Sequence, residues 1–80
     1  MLPRVRGDLQ RRVGRRVHDL RMARGLSQEA FALQLGVHRT HLGSIERGER
    51  NLTLQSVEGL AERLGVDVDD LVVEPGDVSD

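Results

Sequence analysis

The sequence predicts an all-α fold, a compact bundle of four to five short helices. Three observations predict it. Apolar residues recur at steps of three and four along most of the chain, which is the spacing of one helical face. Glycines at positions 25, 36, 48 and 65 fall where those stripes break off, and glycine is a common residue just past a helix end. Only one short run, residues 66–73, alternates as a strand does, and a strand without a partner is unstable.

The first helix is expected from Leu9 to about Arg24, with Leu9, Val13, Val17 and Leu20 on its inner face. Gly14 interrupts that pattern and should weaken the helix by up to ~1 kcal/mol relative to Ala. Ser27 is a good N-cap for a second helix, with Gln28 and Glu29 in its first turn. Phe31, Ala32 and Leu35 point inward there, and Gly36 ends it. The third helix runs from near His38 to Gly48 on Leu42 and Ile45. Thr53 caps a fourth, whose stripe is Leu54, Val57, Leu60, Ala61 and Leu64, and Gly65 ends it. "VDVDDLVV" reads as a short fifth helix capped by Asp67, with Val68, Leu71 and Val72 inward. Residues 9–73 thus make one domain, residues 1–8 a basic N-terminal arm and residues 74–80 an acidic tail.

Eighty residues bury only a modest fraction of their surface, so self-association would add needed stability. The absence of cysteine removes disulfides and thiolate zinc sites. Nothing resembles a signal peptide, and no apolar run approaches the roughly 20 residues of a membrane span. A soluble, cytoplasmic protein without a membrane partner is expected. One Phe and no Tyr or Trp argue against a stacking platform for single-stranded nucleic acid. All twelve basic residues are Arg, a usage that reads as base composition of the gene more than chemistry. Charge is strongly divided. Residues 1–50 hold eleven Arg against five acids, a net of +6, and residues 51–80 hold Arg63 against eight acids, a net of −7. One half of the chain is suited to an anion and the other is not.

The second and third helices carry a specific spacing: Phe31, Ala32, Leu35, Gly36, Val37, Leu42 and Ile45. Ala32 is small where a neighbouring helix must cross closely. Gly36 can take the left-handed conformation that turns the chain sharply. Val37 plugs the turn, and Leu42 and Ile45 clamp the second helix of the pair onto the first. This is the helix-turn-helix arrangement, whose second helix enters the major groove of double-stranded DNA.

The run "LSQEAFALQLGVHRTHLGSIERGERNLTLQSVEGLAERLGV" resembles the Xre/phage-repressor (Cro-type) family of helix-turn-helix regulators, with a lambda-repressor-like DNA-binding domain. Within it, "HRTHLGSIERGERNLTL" is most similar to the controller proteins of restriction-modification systems. The resemblance covers roughly residues 12–73. It implies a five-helix domain that binds a palindromic operator as a homodimer and regulates transcription on the bacterial nucleoid, with no small-molecule ligand or cofactor.

Residues of the motif take roles accordingly. His38, Arg39, Thr40, His41 and Ser44 lie at the exposed start of the recognition helix. Arg39 is the chief candidate base reader, since a guanidinium can bond guanine O6 and N7 together. Thr40 can bond a base edge or touch a thymine methyl, Ser44 is a weaker candidate, and His38 and His41 suit phosphates. Gly43 removes a side chain from the groove-facing surface and so permits close approach. Gln28, in the first turn of its helix, suits a phosphate, and the resemblance places one there too. Arg47, Arg50 and Asn51 suit backbone contacts; Arg47 and Arg50 also complement the helix dipole. Arg11, Arg12, Arg15 and Arg16 occupy different sides of one helix, so they cannot all face DNA, and most are expected to be solvated. The resemblance implies that Glu46 turns inward and pairs with Arg21. The dimer surface is expected among Leu54, Val57, Glu58, Ala61, Val66, Val68, Leu71 and Val72.

Two rival readings compete with this one. Enzymatic chemistry lacks a nucleophile, base and orienter set, and a zinc site on His38 and His41, three apart on one helix, would have to take its third ligand from His18 or a carboxylate with no motif around it. An antitoxin-like module that binds a partner protein as well as an operator is the stronger alternative, with the apolar residues of 66–73 as its seat.

Overall fold

The computed structural model describes residues 5–73 of the chain. Five helices follow one another: α1 (Val5–Ala23), α2 (Gln28–Leu35), α3 (Arg39–Glu46), α4 (Leu54–Leu64) and α5 (Val68–Val72). No strand occurs among the described residues. The alternating run forms α5. The Asp70 carboxylate accepts a hydrogen bond from the Asp67 N–H at 3.2 Å, and Leu71 is wholly buried. One buried leucine and a charged N-terminal turn suit a short helix better than a strand with nothing to pair with.

α1 begins at Val5, so residues 5–8, read from sequence as arm, belong to the helix. The apolar stripe marks where a helix packs and not where it starts. Upstream of Leu9 the first residue without a backbone N–H is Pro3. Residues 1–4 and the acidic tail at 74–80 lie outside the described residues.

α1 is the central element and packs against both α3 and α5, while α2 packs on α3 and α4 on α5. Val13, Val17, Phe31, Leu42, Val57 and Leu71 are fully buried where these helices meet. Burying each such side chain is worth about 1.5–3 kcal/mol before the entropy of ordering the chain is charged against it. Of the residues expected at the dimer surface, Val57, Ala61 and Leu71 are therefore misplaced. They are 1%, 2% and 0% exposed and form the protomer's own core. In so small a domain the apolar stripe of a helix is consumed by the core, and only its rim remains. Leu54 and Glu58 are exposed, and Val66, Val68 and Val72 are half-buried.

The arginines do more than the sequence suggested. Arg63 Nη1 donates to the Leu35 carbonyl at the end of α2 (2.7 Å), and Arg24 Nη2 to the Leu64 carbonyl at the end of α4 (2.9 Å). Arg16 Nε donates to the Asp70 carbonyl (2.8 Å) and Arg12 Nη1 to that of Val72 (3.4 Å), both in α5. The last carbonyls of a helix lack intrahelical partners and sit at the negative end of its dipole, so a long cationic donor satisfies both needs. Arg12 and Arg16 are accordingly fasteners between α1 and α5 and not merely solvated charges.

Gly14 also changes meaning. A Cβ on it would stand 2.9 Å from the Glu46 carbonyl oxygen and closer still to that of Ile45. The missing side chain lets the α1 backbone rest on the C-terminal end of α3. Helix propensity alone predicts that Gly14→Ala stabilises by ~1 kcal/mol. The close crossing predicts the reverse, a loss of ~1–3 kcal/mol, because backbone atoms cannot swing aside. Urea denaturation of the variant decides the sign; a higher midpoint would contradict the close crossing.

Candidate nucleic-acid interface

The interface begins at the turn between α2 and α3. Gly36 adopts φ 73° and ψ 31°, the left-handed conformation. Its N–H donates to the Leu33 carbonyl at 3.2 Å and the Val37 N–H to that of Ala32 at 3.0 Å, which closes α2 by a Schellman pair of bonds. The chain enters α3 two residues later. Phe31, Ala32 and Leu35 of α2 and Leu42 and Ile45 of α3 all turn into the core. The polar residues between them have no room there and are left outside.

His38, Arg39 and Thr40 are exposed at the start of α3, and Arg47, Arg50 and Asn51 are exposed beyond its end. His41 and Ser44 are half-buried. Ser27 and Thr53 cap α2 and α4 through side-chain oxygens, each accepting a backbone N–H at 3.1 Å. His38 makes no such bond at the start of α3. The first-turn N–H groups of α3 are thus left to water or to an anion. An open groove of about 720 Å³ runs between α2 and α3, lined by Ser27, Glu29, Leu33, His38, Arg39 and Thr40 among others. Leu33, which the sequence reading passed over, is 83% exposed there. Its position on the outer face of α2 is visible in the helical spacing, but no rule flags a lone exposed leucine.

Beneath this surface lies a two-pronged ion pair. Arg21 Nε donates to Glu46 Oε2 at 2.8 Å, and Nη2 to Oε1 at 3.1 Å. The remaining Nη1 donates to the Leu26 carbonyl at 2.9 Å. The side chains are only 12% and 5% exposed. The hydrogen bond to Glu46 holds the Arg21 guanidinium above its ordinary pKa, against burial, which acts the other way. Gln28 Nε2 donates to Glu46 Oε1 at 3.1 Å. A single carboxylate therefore ties α1, the start of α2 and the end of α3 together. One amide proton of Gln28 is spent on this bond, and the second is available to a phosphate.

The remaining candidates are engaged in varied ways. Ser44 Oγ donates to the His41 carbonyl one turn back, at 2.9 Å, so its proton is occupied and its lone pairs remain. Asn51 Oδ1 accepts from Gln10 Nε2 at 2.9 Å, which ties the loop after α3 to α1. Gln10 carried no sequence signal. Arg47 Nε pairs with Glu49 Oε1 at 3.1 Å on the surface, a pair of small energetic weight. The space that Gly43 leaves open is filled rather than empty. Arg47 Nη1 lies 3.1 Å from where its Cβ would stand, with Gln28 Oε1 at 3.7 Å. Partial burial, and then the charge of Arg50, push the His41 pKa down. The neutral imidazole is therefore favoured at neutral pH, and His41 offers an anion less charge than its residue type suggests. Among the described residues no three His, Cys, Asp or Glu side chains converge as a metal site, and no helix is long and apolar enough to cross a membrane.

A buried helix pair that presents a polar recognition surface is the architecture of helix-turn-helix regulators. The helix-turn-helix family model HTH_3 matches residues 17–71. Control protein C.BamHI of Bacillus amyloliquefaciens is 38% identical over 60 residues, spanning 74% of each chain. A hypothetical transcription factor, NHTF, from Neisseria superposes with a TM-score of 0.73 at 32% identity, over 94% of this chain and 90% of its own. The restriction-modification controller protein C.Esp1396I, solved as a tetramer in complex with its natural 35 base-pair operator, superposes at 0.62 and 34% identity, over 74% and 78%. The chain belongs to the HTH_3 helix-turn-helix family. Its class is that of DNA-binding transcriptional regulators of the controller-protein type.

Two outcomes follow from the site. Glu46→Ala should destabilise the fold by ~3–5 kcal/mol, since it strands a mostly buried guanidinium. Thermal melting checks it; a variant that melts like the parent while losing DNA would show that Glu46 acts at the DNA instead. His41 gives a pH signature. Its pKa is depressed on folding, so between the ordinary histidine value near 6.5 and the lower folded value the unfolded chain binds more protons. Stability contributed by neutral His41 is complete above about pH 6.5 and declines as pH falls through the folded pKa. His41→Gln should flatten that limb of a denaturation-versus-pH curve, and an unchanged limb would place the titration elsewhere.

Proposed function

We propose that the protein acts as a homodimer on a palindromic operator, each protomer laying the start of α3 into one major groove, and that it regulates restriction-modification genes. One observation carries this reading: Arg39 and Thr40 stand exposed at the uncapped start of a helix whose other end is locked to α1 and α2. Arg39 reads guanine, Thr40 a neighbouring base edge, and Gln28, His38, Arg47, Arg50 and Asn51 bind the backbone. The likeness to a controller protein solved on its operator supports the docking mode.

A single half-site offers few base contacts, and two-fold symmetry doubles them. Leu54, exposed to 67%, and Glu58, with Val66, Val68 and Val72 at the rim of the core, form the face left for a second copy. It carries the acidic charge of the chain, which keeps this face off DNA.

Binding should weaken steeply with salt. Against an operator mapped by footprinting upstream of the gene, Arg39→Ala should lose ~1–3 kcal/mol and relax the preference at one base pair per half-site. Gln28→Ala should lower affinity for all sequences alike. Equal loss on operator and random duplex after Arg39→Ala would remove Arg39 from the reading role. Leu54→Asp should shift the mass in analytical ultracentrifugation from dimer to monomer; an unaltered dimer would move the interface to another face.

A further inference from the structure

The arginines of α1 divide between two sides of the helix. Arg12 and Arg16 are committed to carbonyls of α5. Arg11, Arg15 and His18 follow one another at steps of four and three, a single stripe on a different face. That stripe runs beside the C-terminal end of α3. Arg11, Arg15, His18, Glu46 and Arg47 line one open cleft of about 390 Å³. The cleft is held in place by backbone packing. Gly14 brings α1 onto the Ile45 and Glu46 carbonyls, and a Cβ on Gly48 would lie 3.3 Å from the Arg11 Cα.

The electrostatics of the cleft favour an anion. Its carboxylate, Glu46, is already satisfied by two hydrogen bonds from Arg21 and one from Gln28. Among the acids whose side chains are described, Glu49 stands near in an exposed pair with Arg47, and Asp19 lies with its Oδ1 3.8 Å from His18 Nδ1. An exposed pair such as Arg47–Glu49 is weak and yields readily to a phosphate. Arg47 also links this cleft to the recognition surface, because its guanidinium lies along α3 over Gly43 and beside Gln28. A basic track therefore continues from Gln28 through Arg47 to Arg15 and Arg11.

We propose that Arg11 and Arg15 bind phosphates of the duplex backbone that flanks the base pairs read by α3, so that the footprint of each protomer extends beyond its half-site. This rests on the DNA-binding reading above. Four helical residues advance about 6 Å along the axis. Long arginine arms at that spacing can take neighbouring phosphates of one strand, which the planar guanidinium suits better than an ammonium. The contact carries no sequence information; it lengthens the electrostatic footprint.

The test uses the full chain and two duplexes, one cut at the edges of the footprinted operator core and one carrying about ten further base pairs on each side (about one helical turn). Arg11→Gln/Arg15→Gln should bind the long duplex about tenfold less well at low salt, with the slope of log affinity against log salt reduced by about 2. On the short duplex it should match the parent. The charge-keeping Arg11→Lys/Arg15→Lys should retain most of the salt slope, which separates loss of phosphate contact from damage to the fold. Unchanged affinity and slope on the long duplex would overturn the proposal and leave the stripe to an acidic protein partner. Equal losses on both duplexes would overturn it as well. Failure of the underlying reading looks different: the parent chain itself would bind neither duplex above random DNA.

Discussion

The bidentate pair between Arg21 and Glu46 is the constraint on which the rest of the site depends. A carboxylate within a basic surface is unfavourable unless something neutralises it, and a guanidinium with only 12% of its side chain exposed is unfavourable alone. Each makes the other tolerable. Replacing such a pair with apolar residues is often neutral or better for stability, so its value here lies in geometry. Through Gln28 and the Leu26 carbonyl it fixes where α2 starts relative to where α3 ends. The exposed residues at the start of α3 then project from a frame that does not slide.

The remaining polar contacts obey one rule. Helix ends leave acceptors without partners, and this chain supplies arginines from elsewhere in sequence to meet them. Arg63 closes α2, Arg24 closes α4, and Arg12 and Arg16 meet α5. Arg24 also lies over the ring of Phe31, 5.6 Å from its centroid, in the geometry of a cation–π contact. A core with a single aromatic residue is small, and such cross-links between helix ends supplement it without more apolar surface. The same residue type thus fastens helices on one face of α1 and presents charge on another.

Much of the fold was legible because its signals are local. Ser27, Gly36, Thr53 and Gly65 mark helix ends by their own conformational and hydrogen-bonding preferences, and the structure has the helices there. The stripe Val13, Val17, Phe31, Leu35, Leu42 and Ile45 appears in sequence as periodicity and in structure as core. What was not legible depends on residues far apart in the chain. Gly14 looks like a weak point until α3 is seen resting on it. The arginine-to-carbonyl bonds join positions 28 to 60 residues apart, which no spacing rule anticipates. Val57, Ala61 and Leu71 could not be assigned between core and partner from periodicity, because both uses give the same stripe. In the site, residue type identified the exposed arginine and threonine, but the engagement of Ser44, Asn51 and His41 with neighbouring groups needed coordinates.

Arg21 and Glu46 act as one unit in holding α3. A double-mutant cycle with Arg21→Met and Glu46→Met, read by urea denaturation, tests it most directly. Each single change should cost ~3–5 kcal/mol, and the double variant should recover much of the loss, because it leaves no unpaired buried charge. Costs that simply add, with no coupling between the two positions, would contradict it.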